Sequence, residues 1–321
     1  MVGDEQKVTS KSFAIVFPGQ GAQASGMGET WSQHPAWNLV ERAEKLVDRP
    51  LAPLLLDSEG VDLSRTENSQ MSVLLVSLMG WEALRATLEA PPVAFGGHSL
   101  GQITALIAAG ALDFDDGIRL ADERARLTQR DADRLPGRMA ALLGASLEQA
   151  EAACSEVADC WVANDNTTGQ VVIAGTPEGV AAGSEAARTH GVRKVMALEV
   201  GGAFHTPLFE AAASDLAATL SGLDWAPKHA PVAANTDGQL HSEGSVWASL
   251  LAEHLVRPVR WVSCMQTLSA KSSRWVEIGP GSTLAAFAKR AHPEVSVASL
   301  STPENLDSIH SLLNPARGEQ P

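Results

Sequence analysis

The sequence has 321 residues, with 24 Lys and Arg against 38 Asp and Glu and a formal net charge of −14. Nucleic acids and anionic membranes are polyanions held by clustered basic side chains, so this balance, with no basic run, argues against both as partners. A content of 45% hydrophobic and 19% charged residues is that of a globular chain, long enough for one large domain or two modest ones.

The start, MVGDEQKVTSK, is polar, and the apolar run after it (residues 13–17) is too short for a signal-peptide core. No stretch reaches the roughly 18 continuous apolar residues of a membrane span. Cys154, Cys160 and Cys264 are odd in number and lack metal-type spacing, which gives neither a disulfide framework nor a zinc site. A reducing, cytoplasmic home is expected.

Residues 12–17, SFAIVF, read as a buried strand ended by the tight loop PGQGAQ. Residues 73–88 are apolar at helical spacing, VAFGGHS follows as strand and turn, and QITALIAAGAL as a second helix. From about 138 to 200 the pattern predicts strand MAALLG, helix LEQAEAACSEV, strands CWVANDN and QVVIAG, helix PEGVAAGSEAARTHG and strand RKVMALEV. The order βαββαβ is that of a ferredoxin-like unit. With α/β texture on both sides of it, the unit reads as an insertion: residues 137–202 within a larger α/β body of 1–136 and 203–321. A helix over 207–220, a strand near 231–235, a helix over 246–256 and the strand-loop-helix RWVEIGPGSTLAAFAKR complete the chain. The tail PARGEQP is expected to be disordered.

Gly97-His98-Ser99-Leu100-Gly101 fits the G-x-S-x-G elbow, in which glycines allow a sharp strand-to-helix turn that lifts the serine out of the fold. A serine hydroxyl needs a base to take its proton. His98 is a poor candidate, because adjacent side chains at a strand end point to opposite sides. His205, in GGAFHTPLF, stands where the inserted unit returns to the larger body, and such seams build clefts; the competing reading is a histidine packed in a turn before Pro207. Attack on a carbonyl also needs oxyanion donors. The Leu100 amide at the start of the helix supplies one, and the Gly19-Gln20-Gly21 loop is the candidate for a second. That loop lacks the full phosphate-binding pattern GxxxxGK[ST].

Together these stretches resemble the malonyl-CoA:acyl carrier protein transacylases and the acyltransferase domains of polyketide synthases. The resemblance is carried, in family order, by FPGQGAQASGMG (17–28), NSQMSVLLVSLMGWEAL (68–84), GHSLGQITALIAAGAL (97–112) and RLADERARLTQ (119–129). It continues through GQVVIAG (169–175), GAFHTPL (202–208), RPVRW (257–261) and EIGPGSTL (277–284). It implies a hydrolase-like parallel-sheet core with the ferredoxin-like insertion, Ser99 as nucleophile, His205 as base, and the main-chain amides of Gln20 and Leu100 as oxyanion donors. It implies further that a backbone carbonyl, not an aspartate, orients the histidine; His254 stands in the matching segment where glutamine is common.

Arg124, by its sequence neighbours Asp122 and Glu123, would be a solvated helix charge, but it matches the family arginine that holds the free carboxylate of a malonyl group. The planar guanidinium fork suits that task. Gln70 and Asn166 match positions lining the family's site, and His98, Phe204 and Gln102 complete the substrate-side group. Phe204 would crowd a methyl branch and so favour malonyl over methylmalonyl; Gln102 replaces the usual glutamate after the elbow.

The implied reaction is ping-pong transfer of a malonyl group from coenzyme A to the phosphopantetheine thiol of an acyl carrier protein, without metal or redox cofactor, in fatty-acid or polyketide synthesis. The alternatives are a discrete acyltransferase shuttling another acyl unit between carrier proteins, a serine esterase, and a non-catalytic docking subunit. Because carrier proteins are acidic too, docking is expected to use a local basic patch among Arg188, Arg193, Lys194, Arg274, Lys289 and Arg290.

Overall fold

The computed structural model describes residues 12–57 and 60–313. The polar start and the tail PARGEQP lie outside the described residues. In chain order the first part contains β1 (Ala14–Phe17), α1 (Asn38–Val47), α2 (Ala52–Leu55), α3 (Thr66–Arg85), β2 (Ala94–Gly97), α4 (Gly101–Ala108) and α5 (Phe114–Arg134). Next come β3 (Arg138–Leu143), α6 (Leu147–Ser155), β4 (Cys160–Thr167), β5 (Gln170–Gly175), α7 (Pro177–Thr189) and β6 (Lys194–Leu198). The chain continues with α8 (Glu210–Ser221), β7 (Val232–Ala233), β8 (Leu240–His241), α9 (Trp247–His254), β9 (Val259–Arg260) and α10 (Trp261–Ser269). It ends with β10 (Arg274–Ile278), α11 (Thr283–Ala291), β11 (Ser296–Leu300) and α12 (Leu306–Leu313).

The strands form two sheets in a mixed α/β arrangement. The larger has the order β11-β10-β1-β2-β7-β8 and is parallel except for β8, which runs antiparallel to β7. Its central strand β1 is AIVF, buried at every residue, as a strand covered on both faces must be. Alternation splits it: Ile15 and Phe17 enter one apolar cluster with α3, α4 and α5, while Ala14 and Val16 enter another with α10 and α11.

The second sheet has the order β6-β3-β5-β4-β9. The first four strands are antiparallel and, with α6 and α7, follow the predicted order βαββαβ. Both helices start where the sequence signals it: Ser146 and Gln149 form a reciprocal capping box, and Thr176 accepts from the Gly179 amide ahead of Pro177. The fifth strand, β9, arrives from later in the chain and pairs in parallel with β4, Asn164 opposite Val259. This two-residue strand ties β4 to the chain between α9 and α10 and has no apolar run long enough to read in the sequence.

Two boundaries differ from expectation. Helix α3 begins at Thr66 rather than residue 73, because its first two turns carry polar residues, among them Thr66, Ser69 and Gln70, that are nonetheless buried. Gln70 lines the cleft described below, while Thr66 and Ser69 are buried in hydrogen bonds to Gln20, Gln129 and the helix's own backbone, so hydrophobic periodicity alone places the start too late. The predicted strand over 231–235 shrinks to β7, after which the chain turns and Asn235 leaves the ladder.

Candidate active site

The elbow is built as its glycines require. A Cβ on Gly97 would stand 1.9 Å from the Gly101 carbonyl oxygen, and one on Gly101 would stand 2.2 Å from that of Phe17. Ser99, between β2 and α4, is left-handed at φ 52°, and His205 is likewise at φ 63°. Among the described residues only two other non-glycine positions, Asp48 and Asp159, have positive φ. Aspartate and histidine visit that region more often than most residues; serine enters it only when its surroundings hold it there, a form of strain that gathers at functional sites.

Ser99 Oγ lies 2.8 Å from His205 Nε2, and His205 Nδ1 lies 2.8 Å from the main-chain oxygen of His254. A carbonyl only accepts, so Nδ1 carries the proton and Nε2 presents its lone pair to the serine hydroxyl. Burial, aided by the positive Arg124, pushes the His205 pKa down to about 3, which keeps the ring a free base at neutral pH. The His254 ring tilts against that of His205 at 4.9 Å between centroids.

Arg124 is 6% exposed, and its Nη2 donates to Ser99 Oγ at 3.2 Å. Its Nη1 donates to Gln70 Oε1, and Gln70 Nε2 donates to Thr128 Oγ1 at 3.0 Å. Burial lowers the guanidinium pKa to about 10, so it remains a cation at neutral pH. Among the described residues no carboxylate pairs with it; Asp122 instead takes Arg49 and Arg126. The reading of Arg124 as a solvated helix charge therefore fails: α5 turns Arg126 outward and Arg124 inward.

Two main-chain amides, of Gln20 and Leu100, lie where the loop after β1 meets the elbow. The Gly19-Gln20 loop packs so tightly on the elbow that a Cβ on Gly19 would stand 2.3 Å from the His98 oxygen and 3.6 Å from the Leu100 nitrogen. Among the described residues the Gln20 and Leu100 amides make no hydrogen bond, while the Gln20 side chain accepts from Thr66 Oγ1 at 2.6 Å.

These groups line a cleft of about 200 Å³ between the two sheets. Its polar end holds Gln20, Gln70, His98, Ser99, Arg124, Asn166 and His205, and its apolar wall includes Met139, Leu198, Phe204 and Phe287. His98 is in the cleft but not on Ser99: its Nε2 bonds Asn166 Oδ1 at 2.8 Å, and burial lowers its pKa to about 4. The left-handed turn at Ser99 breaks the strand alternation that would have sent the two side chains apart. Phe204 stacks on Phe209 at 5.1 Å.

Gln102 differs from expectation. It is fully buried behind the elbow, outside the cleft lining, where Oε1 accepts from the Asn235 amide at 2.6 Å. It occupies the first turn of α4, on the side facing away from the substrate space. Of the expected basic patch, Arg274 is spent on the carbonyls of Leu312 and Leu313 at 3.2 and 3.1 Å, and Arg188 on Glu185 at 2.6 Å. Arg193, Lys194, Lys289 and Arg290 are exposed.

Sequence reasoning missed Asn164 and Asn235. Asn164 lines the cleft beside Asn166, two positions along β4, and the alternation of CWVANDN carried that signal. Asn235 sits at the end of an apolar run with no local mark of function.

The chain matches the family model described as acyl transferase domain over residues 14–305. It is 33% identical over 301 residues to a malonyl CoA-acyl carrier protein transacylase of Bacillus subtilis, covering 92% of this chain and 95% of that protein. The transacylase of the same name from Escherichia coli K12 is 30% identical over 300 residues, covering 91% and 96%. Among solved structures, a malonyl-CoA:acyl carrier protein transacylase of Xanthomonas oryzae superposes with a TM-score of 0.88 at 34% identity, covering 95% of this chain and 98% of that one. A chain from a type II PKS acyl carrier protein in complex with its malonyl-transacylase also gives 0.88, at 30% identity and with 94% and 99% covered. By sequence and by fold alike, this chain belongs to the acyl transferase domain family.

Proposed function

We propose that the protein is a malonyl-CoA:acyl carrier protein S-acyltransferase working through an acyl-serine intermediate. The observation that carries the proposal is the double contact of Ser99 Oγ, 2.8 Å from a neutral His205 and 3.2 Å from a buried Arg124 that has no carboxylate partner among the described residues. The first contact supplies a base; the second places a fixed cation where the far carboxylate of a malonyl group would lie.

Ser99 Oγ attacks the thioester carbonyl as His205 Nε2 takes its proton, and the amides of Gln20 and Leu100 hold the oxyanion. Collapse breaks the carbon–sulfur bond, His205 returns the proton to the leaving thiolate, and coenzyme A departs. The malonyl ester remains with its carboxylate on Arg124, braced by Gln70. The phosphopantetheine thiol then loses its proton to His205 and attacks the ester; the bond from the carbonyl carbon to Oγ breaks, and His205 returns the proton to Ser99. The cleft walls, Met139, Leu198, Phe204 and Phe287, limit water at the ester.

Several finer readings belong to the same proposal. The larger sheet is a hydrolase-like core, and residues 137–202 are a ferredoxin-like subdomain inserted in it, supported by the spatial order β6-β3-β5-β4. Phe204 favours malonyl over methylmalonyl, and His98 with Asn166 lines the substrate side. The partners are a coenzyme A thioester and an acyl carrier protein. Among the described residues no helix is long and apolar enough to cross a membrane.

The test is intact-protein mass measurement after mixing with malonyl-CoA, methylmalonyl-CoA or acetyl-CoA, with Ser99→Ala as control. A malonyl-sized adduct that requires Ser99 and passes to a holo carrier protein is expected. No adduct from any donor would overturn the assignment.

A further inference from the structure

Outside the reacting groups, one side chain gathers the polar contacts of the elbow. Asn235 is fully buried and satisfied at every polar position. Its Oδ1 accepts from the Ser99 amide at 2.8 Å, and its Nδ2 donates to the Gly97 carbonyl at 2.8 Å. Its own amide donates to Gln102 Oε1 at 2.6 Å, and its carbonyl accepts from the Arg260 amide at 2.9 Å. One carboxamide thus bridges the residues on either side of His98, as a neighbouring strand would, at a point where β7 has turned away from β2.

The bridge answers a problem set by the elbow. Residues ahead of a helix have amides without intrahelical partners, and buried amides need one. Here Gly101 N donates to His98 O at 2.9 Å and Gln102 N to Ser99 O at 3.1 Å, leaving the Ser99 and Leu100 amides. Asn235 takes the first. Only the Leu100 amide is then left to point at a developing oxyanion.

We infer that Asn235 is a positioning residue for acyl transfer: it fixes the left-handed Ser99 in register with His205 Nε2 and assigns the Leu100 amide to the oxyanion. Gln102 clamps Asn235 from α4, and Arg260 of β9 clamps it from the strand that pairs with cleft-lining β4. The carboxamide holds the elbow, while the main chain of the same residue is tied to α4 and to β9. The inference rests on Ser99 being the nucleophile of the proposed reaction.

The test separates the two claims with a fluorophosphonate, which phosphonylates an activated serine without any malonyl recognition, read by intact mass beside malonyl-CoA kinetics. Asn235→Ala and Asn235→Ser, checked for folding by near-ultraviolet circular dichroism, are expected to react with the probe about 100-fold more slowly than wild type, the scale of a misplaced reacting group. KM for malonyl-CoA is expected to stay within threefold, so that the loss falls on kcat. Asn235→Asp, neutral in so buried a site, keeps both an acceptor and a donor and is expected within tenfold of wild type.

A folded Ala or Ser variant that labels at the wild-type rate, or an Asp variant no faster than Ser, overturns the inference. Failure of both Ala and Ser variants to fold also overturns it, since the role would then be structural. Wild-type protein that labels at Ser99 but takes no malonyl group sinks the malonyl assignment and leaves the Asn235 comparison intact; wild-type protein that does neither sinks both.

Discussion

Arg124 Nη2 donates to Ser99 Oγ, the proposed nucleophile, at 3.2 Å, so the buried cation of α5 and the elbow serine share one space. A charge-assisted hydrogen bond is worth about 1.5–3 kcal/mol, or roughly 10- to 150-fold in rate. Arg124→Ala is therefore expected to lower kcat/KM for malonyl-CoA by that range and to leave acetyl-CoA much less affected. Arg124→Lys keeps charge without the planar fork and should fall between. Equal losses on both donors would show that the arginine does not read the carboxylate.

Three histidines around the site resist protonation for the same reason. Burial lowers the pKa to about 3 for His205, to about 4 for His98 and well below the usual value for His254. Unfolded histidines titrate near 6.5, so below that pH the unfolded chain binds protons that the fold refuses. The stability these groups contribute is present above pH 6.5 and drains as pH falls toward 4, by about 1.4 kcal/mol per histidine per pH unit. The thermal midpoint should drop across that window, and His254→Gln should drop less, its carbonyl still holding His205. Serine acylation should stay flat through pH 6.5; a half-point there would contradict a base with so depressed a pKa.

What the sequence disclosed and what it withheld divide on physical lines. Ser99, His205 and Arg124 stand in contiguous stretches whose residue types state their chemistry, and glycine pairs announce the elbow. Arg124 nonetheless needed the resemblance, because its neighbours Asp122 and Glu123 looked like a solvated face. Asn235 was opaque, ending an apolar run; Gln102 stood out as a replacement for the usual glutamate, but its partner did not, because only the turn after β7 brings the two together. The first turns of α3 escape the apolar pattern because their buried residues, Thr66, Ser69 and Gln70, are polar and are satisfied by hydrogen bonds. Arg274 read as a free surface charge and is occupied by carbonyls of α12. Strand β9 was too short to carry periodicity and owes its existence to its partner β4.

Phe204 lies in the cleft wall with its ring stacked on Phe209 at 5.1 Å, so it cannot swing away without losing that contact. A pocket residue that excludes one methyl group discriminates by about 1–3 kcal/mol. Phe204→Ser should raise the ratio of methylmalonyl to malonyl transfer about tenfold, chiefly by relieving methylmalonyl-CoA. An unchanged ratio, measured in competition with both donors present, would remove Phe204 from the selectivity of the site.

The Gly19 loop offers the sharpest test of the oxyanion assignment, because the change lies outside every reacting side chain. An alanine Cβ at Gly19 would stand 2.3 Å from the His98 carbonyl oxygen, below any real contact distance, and that carbonyl is held by the Gly101 amide at 2.9 Å. The elbow is the more rigid partner, so the loop must retreat and carry the Gln20 amide away from Leu100. Loss of one oxyanion donor costs about 10²–10³ in kcat. Gly19→Ala should therefore cut the malonylation rate by about that factor while KM changes little and the Ser99–His205 pair stays intact. If the variant acylates at the wild-type rate, the Gln20 amide is not an oxyanion donor, and the Leu100 amide alone would have to carry that charge.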